Sequence, residues 1–335
     1  MVNRMMWQVG FVLFNILSAR IYAASLGSYN VDSNQVSVSG ISSGAAMATQ
    51  VHVALSSRIM GVGLVAGLPY MCAEGLAVTA LTCMNTPGLV SVSVLEGITA
   101  SADLVGNIDS TSNIATSKVY IFAGTKDTVV KPGNGPKIEQ YYKHYISDNS
   151  NIKTVYNVPA EHCMPTSNYG GNCGTLNKDN YINNCGYSAA FDLLNHIYGG
   201  HLVKPTNHTT ANGQLLTFSQ SAFFYWSLPS ASGMDTTGYV YIPTKCATKQ
   251  TKCKLHIAFH GCLQGRKAIG DVYVKHAGYN EVGELNDIII LYPQAISTPL
   301  NQQGCWDWFG YTGPLYATKN GFQITAVRRM IDRVL

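Results

Sequence analysis

Val36-Ser-Val-Ser-Gly40-Ile-Ser42-Ser-Gly44-Ala-Ala-Met47 reads as a short strand, a sharp turn and a helix of small residues. Residues 40–44 fit G-x-S-x-G, the strand-to-helix turn that presents a nucleophilic serine. The spacing has a steric reason. The serine is held in a strained backbone conformation, and a glycine two residues to either side lets strand and helix approach closely. Ser42 is thereby lifted above a sheet edge, with a helix N-terminus beneath it. A turn of this kind belongs to an α/β fold.

Working outward, apolar runs recur at 61–67, 118–124, 153–158, 238–243, 254–260 and 287–293, separated by helical or loop stretches. Short continuous apolar strands alternating with helices imply a mostly parallel sheet with helices on both faces. Helices are expected over residues 49–60 and 323–335, the second with Ile324, Val327, Ile331 and Val334 at helical spacing. Residues 170–212, rich in Asn, Gly and Tyr, read as loops around one helix at 189–198. No internal repeat or low-complexity linker interrupts the pattern, so one catalytic domain over 25–335 is expected.

Of 335 residues only 12% are charged, against about 25% in ordinary globular chains, which predicts a neutral, polar surface. The net charge is +4 and no Lys/Arg run occurs, so nucleic-acid binding is not indicated. Residues 1–24 read as a secretory signal: Arg4 supplies the positive start, residues 7–17 a short apolar core, and Ala23-Ala24 a small-residue end. Arg20 and Tyr22 depart from a good cleavage site and leave an uncleaved anchor as the alternative. With the signal removed, a secreted monomer without membrane attachment is expected. Nine cysteines fit an oxidising compartment. Cys72/Cys83, Cys173/Cys185 and Cys246/Cys253 are close enough for local staples; Cys262 and Cys305 are left for a longer one, with Cys163 odd. Spacing does not determine connectivity.

A serine nucleophile needs a base, and a third group to orient that base. In α/β hydrolases they follow in the order Ser, acid, His. The strand at 118–124 ends in Gly124-Thr-Lys-Asp127, and the strand at 153–158 runs into Glu161-His162-Cys163. Asp127 and His162 thus each follow a strand C-terminus, where the functional groups of open α/β sheets gather. His144, His196 and His201 are rival bases without a preceding strand; Asp148 and Glu161 are rival acids and read as solvated. Further on, Phe259-His260-Gly261-Cys262 looks like an H-G loop, whose backbone N–H holds a tetrahedral oxyanion. The amides of Ser43 and Cys262 are the expected donors, with His260 shaping the loop.

The H-G loop normally precedes the nucleophile, yet here it lies about 220 residues after Ser42. Joining the C-terminus to the mature N-terminus would restore the usual order, so the fold is read as circularly permuted. The arrangement resembles the extracellular, single-domain poly(3-hydroxybutyrate) depolymerases of fungal type. The resemblance covers nearly the whole mature chain and rests on residues 39–47, Gly-Thr-Lys-Asp127, His162-Cys-Met-Pro-Thr, His-Gly-Cys262 and Gly-Cys-Trp306-Asp-Trp308-Phe. It implies an α/β-hydrolase esterase with Ser42, Asp127 and His162 as triad and an oxyanion hole from Ser43 and Cys262. It also implies a substrate-binding tryptophan, Trp306 or Trp308 with Trp308 favoured, a polyester substrate, and no metal or cofactor. A carbohydrate or feruloyl esterase is the enzymatic alternative; a hydrolase fold kept only for binding is another.

Overall fold

The computed structural model describes residues 24–225 and 227–335. Apart from Ala24, the expected signal lies outside the described residues. The strands are β1 (Val31–Ile41), β2 (Gly61–Val65), β3 (Lys118–Phe122), β4 (Ile152–Val155), β5 (Met164–Thr166), β6 (Gly171–Asn172), β7 (Ile182–Asn184), β8 (Gln214–Ser219), β9 (Thr237–Ile242), β10 (Cys253–Phe259) and β11 (Ile288–Tyr292). Eight of them form one sheet in the order β4-β3-β2-β1-β10-β11-β9-β8, and β5-β7-β6 form a small second one. In the large sheet every pairing is parallel except β11 with β9 and β9 with β8.

The middle strands are buried on both faces because helices cover both. Gly61–Val65 and Ile288–Tyr292 are buried at every residue, as expected for apolar runs inside a three-layer sandwich. One helical layer comprises α1 (Ser43–Ala54) with the helices Val92–Leu104, Asn134–Lys143 and Phe322–Val334; its core includes Met47, Leu95, Ile138 and Ile324. The other comprises Ala189–Ile197 and Tyr279–Asn286, with Leu193 and Val282 in its core. β8, at the edge, is largely exposed and pairs on one side with β9.

Helix α1 begins at Ser43, directly after the elbow as the small-residue run implies, and continues into the stretch expected as helical over 49–60. It ends at Ala54, where a turn bonded from Arg58 N–H to the Leu55 carbonyl (2.9 Å) returns the chain to β2. The small sheet within 164–184 was not expected; its strands are two or three residues long and too rich in Asn and Gly for a periodic signal.

Counted along the chain from β8 and on through joined termini, β10, which precedes the H-G loop, is the third strand, the one that supplies an oxyanion donor in α/β hydrolases, and the elbow strand β1 is the fifth; in the sheet the two are neighbours. The sheet is therefore that of an α/β hydrolase entered at its fifth strand. The described N-terminal segment and the last helix meet: the Tyr29 N–H donates to the Val334 carbonyl (2.8 Å) and Arg333 Nε to that of Leu26 (2.7 Å).

Candidate active site

Ser42 adopts φ 57°, ψ −124°, a region that non-glycine residues rarely occupy. Two bonds hold it there: its N–H donates to the Val65 carbonyl (2.9 Å) and its carbonyl accepts from Ala46 N–H (3.0 Å). The flanking glycines are required by contact. A Cβ on Gly40 would stand 2.2 Å from the Gly44 carbonyl oxygen, and one on Gly44 2.3 Å from that of His260. The second contact presses the elbow against the H-G loop after β10. Ser42 and Cys262 thereby reach one cavity although they lie in different halves of the chain.

Asp127 and His162 meet at the ends of β3 and β4. The His162 Nδ1–H donates to Asp127 Oδ2 (2.8 Å), while Asp127 Oδ1 accepts from Val129 N–H (2.9 Å) and Val130 N–H (2.8 Å). Both side chains are buried. The carboxylate is thus fixed by its own loop and sets the tautomer of the ring, leaving Nε2 as an acceptor. His162 and Ser42 line the same cavity of about 550 Å³. Among the described residues the Ser42 hydroxyl has no hydrogen-bond partner; such contacts often tighten only when substrate binds.

The H-G loop is positioned by His260. Its Nε2 accepts from the Ala295 N–H (3.0 Å), so the proton sits on Nδ1 and is donated to the Gly261 carbonyl (2.7 Å). That carbonyl shares a trans peptide with the Cys262 N–H, so holding one aims the other in the opposite direction. Burial holds His260 neutral, with its pKa lowered to about 4. Gln264 completes the brace: its Oε1 accepts from Gly261 N–H (2.7 Å), and its Nε2 donates to the carbonyls of Asn180 (2.7 Å) and Tyr181 (3.2 Å). The edge-on Tyr181 ring, 6.1 Å from that of His162, carries the brace to the His162 loop.

The two tryptophans separate. Trp308 lines the cavity beside Phe309. Trp306 is fully buried and its indole N–H donates to the His260 carbonyl (2.9 Å), so it supports the H-G loop and is corrected from candidate substrate contact to core residue. Asp307 between them accepts from the N–H groups of Gly310, Tyr311 and Thr312 (2.7, 3.0 and 2.8 Å), which folds the loop that presents Trp308. Cys262 is joined to Cys305. The three local pairs, Cys72–Cys83, Cys173–Cys185 and Cys246–Cys253, are also joined, and Cys163 is free and buried. Burial, reinforced by Asp127 and Glu161, pushes the Cys163 thiol up to about 12, so it stays protonated beside His162. Glu161 is buried, contrary to the solvated reading.

One wall was missed in the sequence. The helix Ala77–Asn85 contributes Ala77, Ala80, Leu81 and Met84 to the cavity. Their i, i+3, i+4, i+7 spacing is a helical signal, here facing a cleft as well as a core. Among the described residues no helix is long and apolar enough to cross a membrane.

The parallel sheet with its serine elbow and H-G loop defines an α/β hydrolase. No family model matches the chain. It is 40% identical over 93% of its length to the poly(3-hydroxybutyrate) depolymerase of Delftia acidovorans, and spans 62% of that protein. It is 37% identical to the polyhydroxybutyrate depolymerase of Talaromyces funiculosus, covering 95% of this chain and 94% of the relative. Among solved structures, PHB depolymerase from Penicillium funiculosum superposes with TM-score 0.85 at 34% identity, covering 93% of this chain and 98% of that one. A serine-to-alanine variant of PHB depolymerase complexed with an R3HB trimer matches equally well, with TM-score 0.85 and 34% identity. The chain belongs to the polyhydroxybutyrate depolymerase family, and is a serine ester hydrolase.

Proposed function

We propose that the chain is a secreted enzyme that hydrolyses poly(3-hydroxybutyrate) to soluble 3-hydroxyacids and oligomers, with Ser42 as nucleophile, His162 as base and Asp127 as its orienting acid. The observation that carries this is the convergence of Ser42, His162, Cys262 and Trp308 on one apolar cavity, with Asp127 holding the His162 ring from behind. His162 Nε2 takes the Ser42 proton, Oγ attacks the ester carbonyl, and the amides of Ser43 and Cys262 receive the oxyanion. The imidazolium then protonates the departing alkoxide. Water, activated by the same ring, releases the acid from the acyl-enzyme.

Polymer as substrate is supported by the family, by Trp308 and Phe309 in the cavity, and by the exposed Leu81, Leu263 and Leu300 that also line it. Secretion is supported by the leader pattern and by four disulfides. The test is release of soluble 3-hydroxybutyrate from amorphous polymer by the purified chain and its Ser42→Ala variant, with serine-directed phosphonate labelling alongside. Release that needs Ser42 is expected. Turnover of small esters without polymer release would remove the polymer assignment, and silence on both would leave a binding protein.

A further inference from the structure

A second carboxylate lies beside the proposed triad. Glu161 is 6% exposed, and its Oε1 accepts from Thr128 N–H (2.6 Å), Thr128 Oγ1–H (2.8 Å) and His162 N–H (3.0 Å). The two carboxylates cross-link the loops in opposite senses. Asp127, on the loop after β3, holds its own loop and the His162 ring. Glu161, on the loop after β4, holds the Thr128 backbone next to Asp127 and the His162 backbone. The loops also pair directly, through Thr125 N–H to the Val158 carbonyl (3.0 Å) and Lys126 N–H to that of Ala160 (3.1 Å). The Glu161 N–H itself donates to the Cys173 carbonyl (2.8 Å), beside a disulfide. Convergent donors on one oxygen hold it ionised, below the usual carboxylate range despite burial.

We infer that Glu161 is a positioning residue for the hydrolytic reaction: it locks the Asp127 loop to the His162 backbone and adds a negative charge that favours the imidazolium. The inference rests on the triad reading above. The groups around His162 are Asp127, Glu161, the Cys163 thiol and the Tyr181 phenol; the Lys126 ammonium lies beside Gly174.

Glu161→Ala and Glu161→Gln are compared with wild type on a soluble butyrate ester, across pH, with Ser42→Ala as reference and thermal melting as a folding control. Glu161→Ala is expected to lower kcat about 10- to 100-fold, the range a small misplacement of a catalytic group produces, with KM within about twofold. Glu161→Gln keeps an acceptor oxygen and should recover much of kcat, while loss of the nearby negative charge moves the acid limb of kcat/KM to lower pH. Folded variants with wild-type kcat and an unmoved pH limb would overturn the inference. So would activity lost only in step with the unfolded fraction. Activity retained by Ser42→Ala would instead remove the triad reading, and this inference with it.

Discussion

Mild acid should destabilise this protein through three buried histidines outside the proposed triad. His52, His256 and His260 are fully buried. Burial lowers the first two to about 3 and His260 to about 4. His52 sits between Tyr142 OH (2.9 Å) and Ser117 Oγ (3.0 Å), and His256 between Ser37 Oγ and Ser39 Oγ (2.7 Å each), with no carboxylate to compensate a charge. His260 is further constrained, because its Nε2 accepts from a backbone N–H that cannot become an acceptor. The unfolded chain therefore binds these protons first, near pH 6.5. Stability contributed by neutral burial is fully present above that value and is lost as pH falls towards the folded-state values. At about pH 5 each group has lost about 2 kcal/mol at about 1.4 kcal/mol per unit, roughly 6 kcal/mol for three. Against a typical total of about 5–15 kcal/mol this is a large share.

Urea unfolding read by tryptophan fluorescence at several pH values between about 5 and 7.5 measures it directly. Asp307 and Glu281, whose burial raises them, act in the opposite sense, gaining stability as pH falls. The limiting slope below pH 6 should approach about 4 kcal/mol per unit, and His52→Gln should remove about one third of it. A loss under about 1 kcal/mol over the whole window would refute the reasoning, as would an unaltered slope in the variant.

Replacing Cys262 and Cys305 by serine opens a bridge of sequence separation 43, worth about 4 kcal/mol by chain entropy. It should also lower kcat through the Cys262 amide, whereas opening Cys246–Cys253, with separation 7 and worth about 2.4 kcal/mol, should leave kcat unchanged; chemical unfolding and ester kinetics on both variants decide this. Trp308→Ala removes an aromatic wall whose contact is worth about 1.5–3 kcal/mol, so KM for a hydroxybutyrate trimer should rise tenfold or more while turnover of a p-nitrophenyl acetate probe changes little. Equal losses on both esters would place Trp308 in the scaffold rather than against the polymer chain.

The elements that could be read from the sequence share one property: their signal is local. The elbow is five consecutive residues, β2, β3, β10 and β11 are short, mostly apolar runs, and the last helix shows its apolar spacing over three turns. Asp127 and His162, the proposed acid and base, could be picked out on a similar local signal, since each lies in the loop that follows a strand. What escaped reading is decided by contacts between distant segments. Glu161 and His162 are adjacent in sequence, and the donor that buries Glu161 is Thr128. Trp306 and Trp308 are two residues apart in one motif. They diverge because Trp306 is tied to the His260 carbonyl while Asp307 turns the loop between them. The helix Ala77–Asn85 has a legible apolar face, but periodicity does not tell a face that meets a cleft from one that meets the core.

The permuted order puts unusual weight on one seam. Ser42 and the His162–Asp127 pair belong to the first half of the chain, whereas Cys262 and Trp308 belong to the second. The four disulfides have sequence separations of 7 to 43 and each lies within one half, so none joins the halves covalently. What brings Ser42 and the H-G loop together is the parallel register of β1 on β10, with Gly40 opposite Phe259, and the close approach of Gly44 to the carbonyls of Phe259 and His260. The break in the usual order falls where Tyr29 meets Val334, before the start of β1. The 11 residues of β1 carry the chain from there to Ser42, roughly 36 Å at most at about 3.3 Å per residue. The Tyr29–Val334 contact therefore lies away from the opposite side of the sheet, where Ser42, Asp127, His162 and Cys262 each follow the C-terminal end of a parallel strand. The fold tolerates permutation because its chemistry depends on which strand ends are neighbours, and that is set by pairing rather than by where the chain begins.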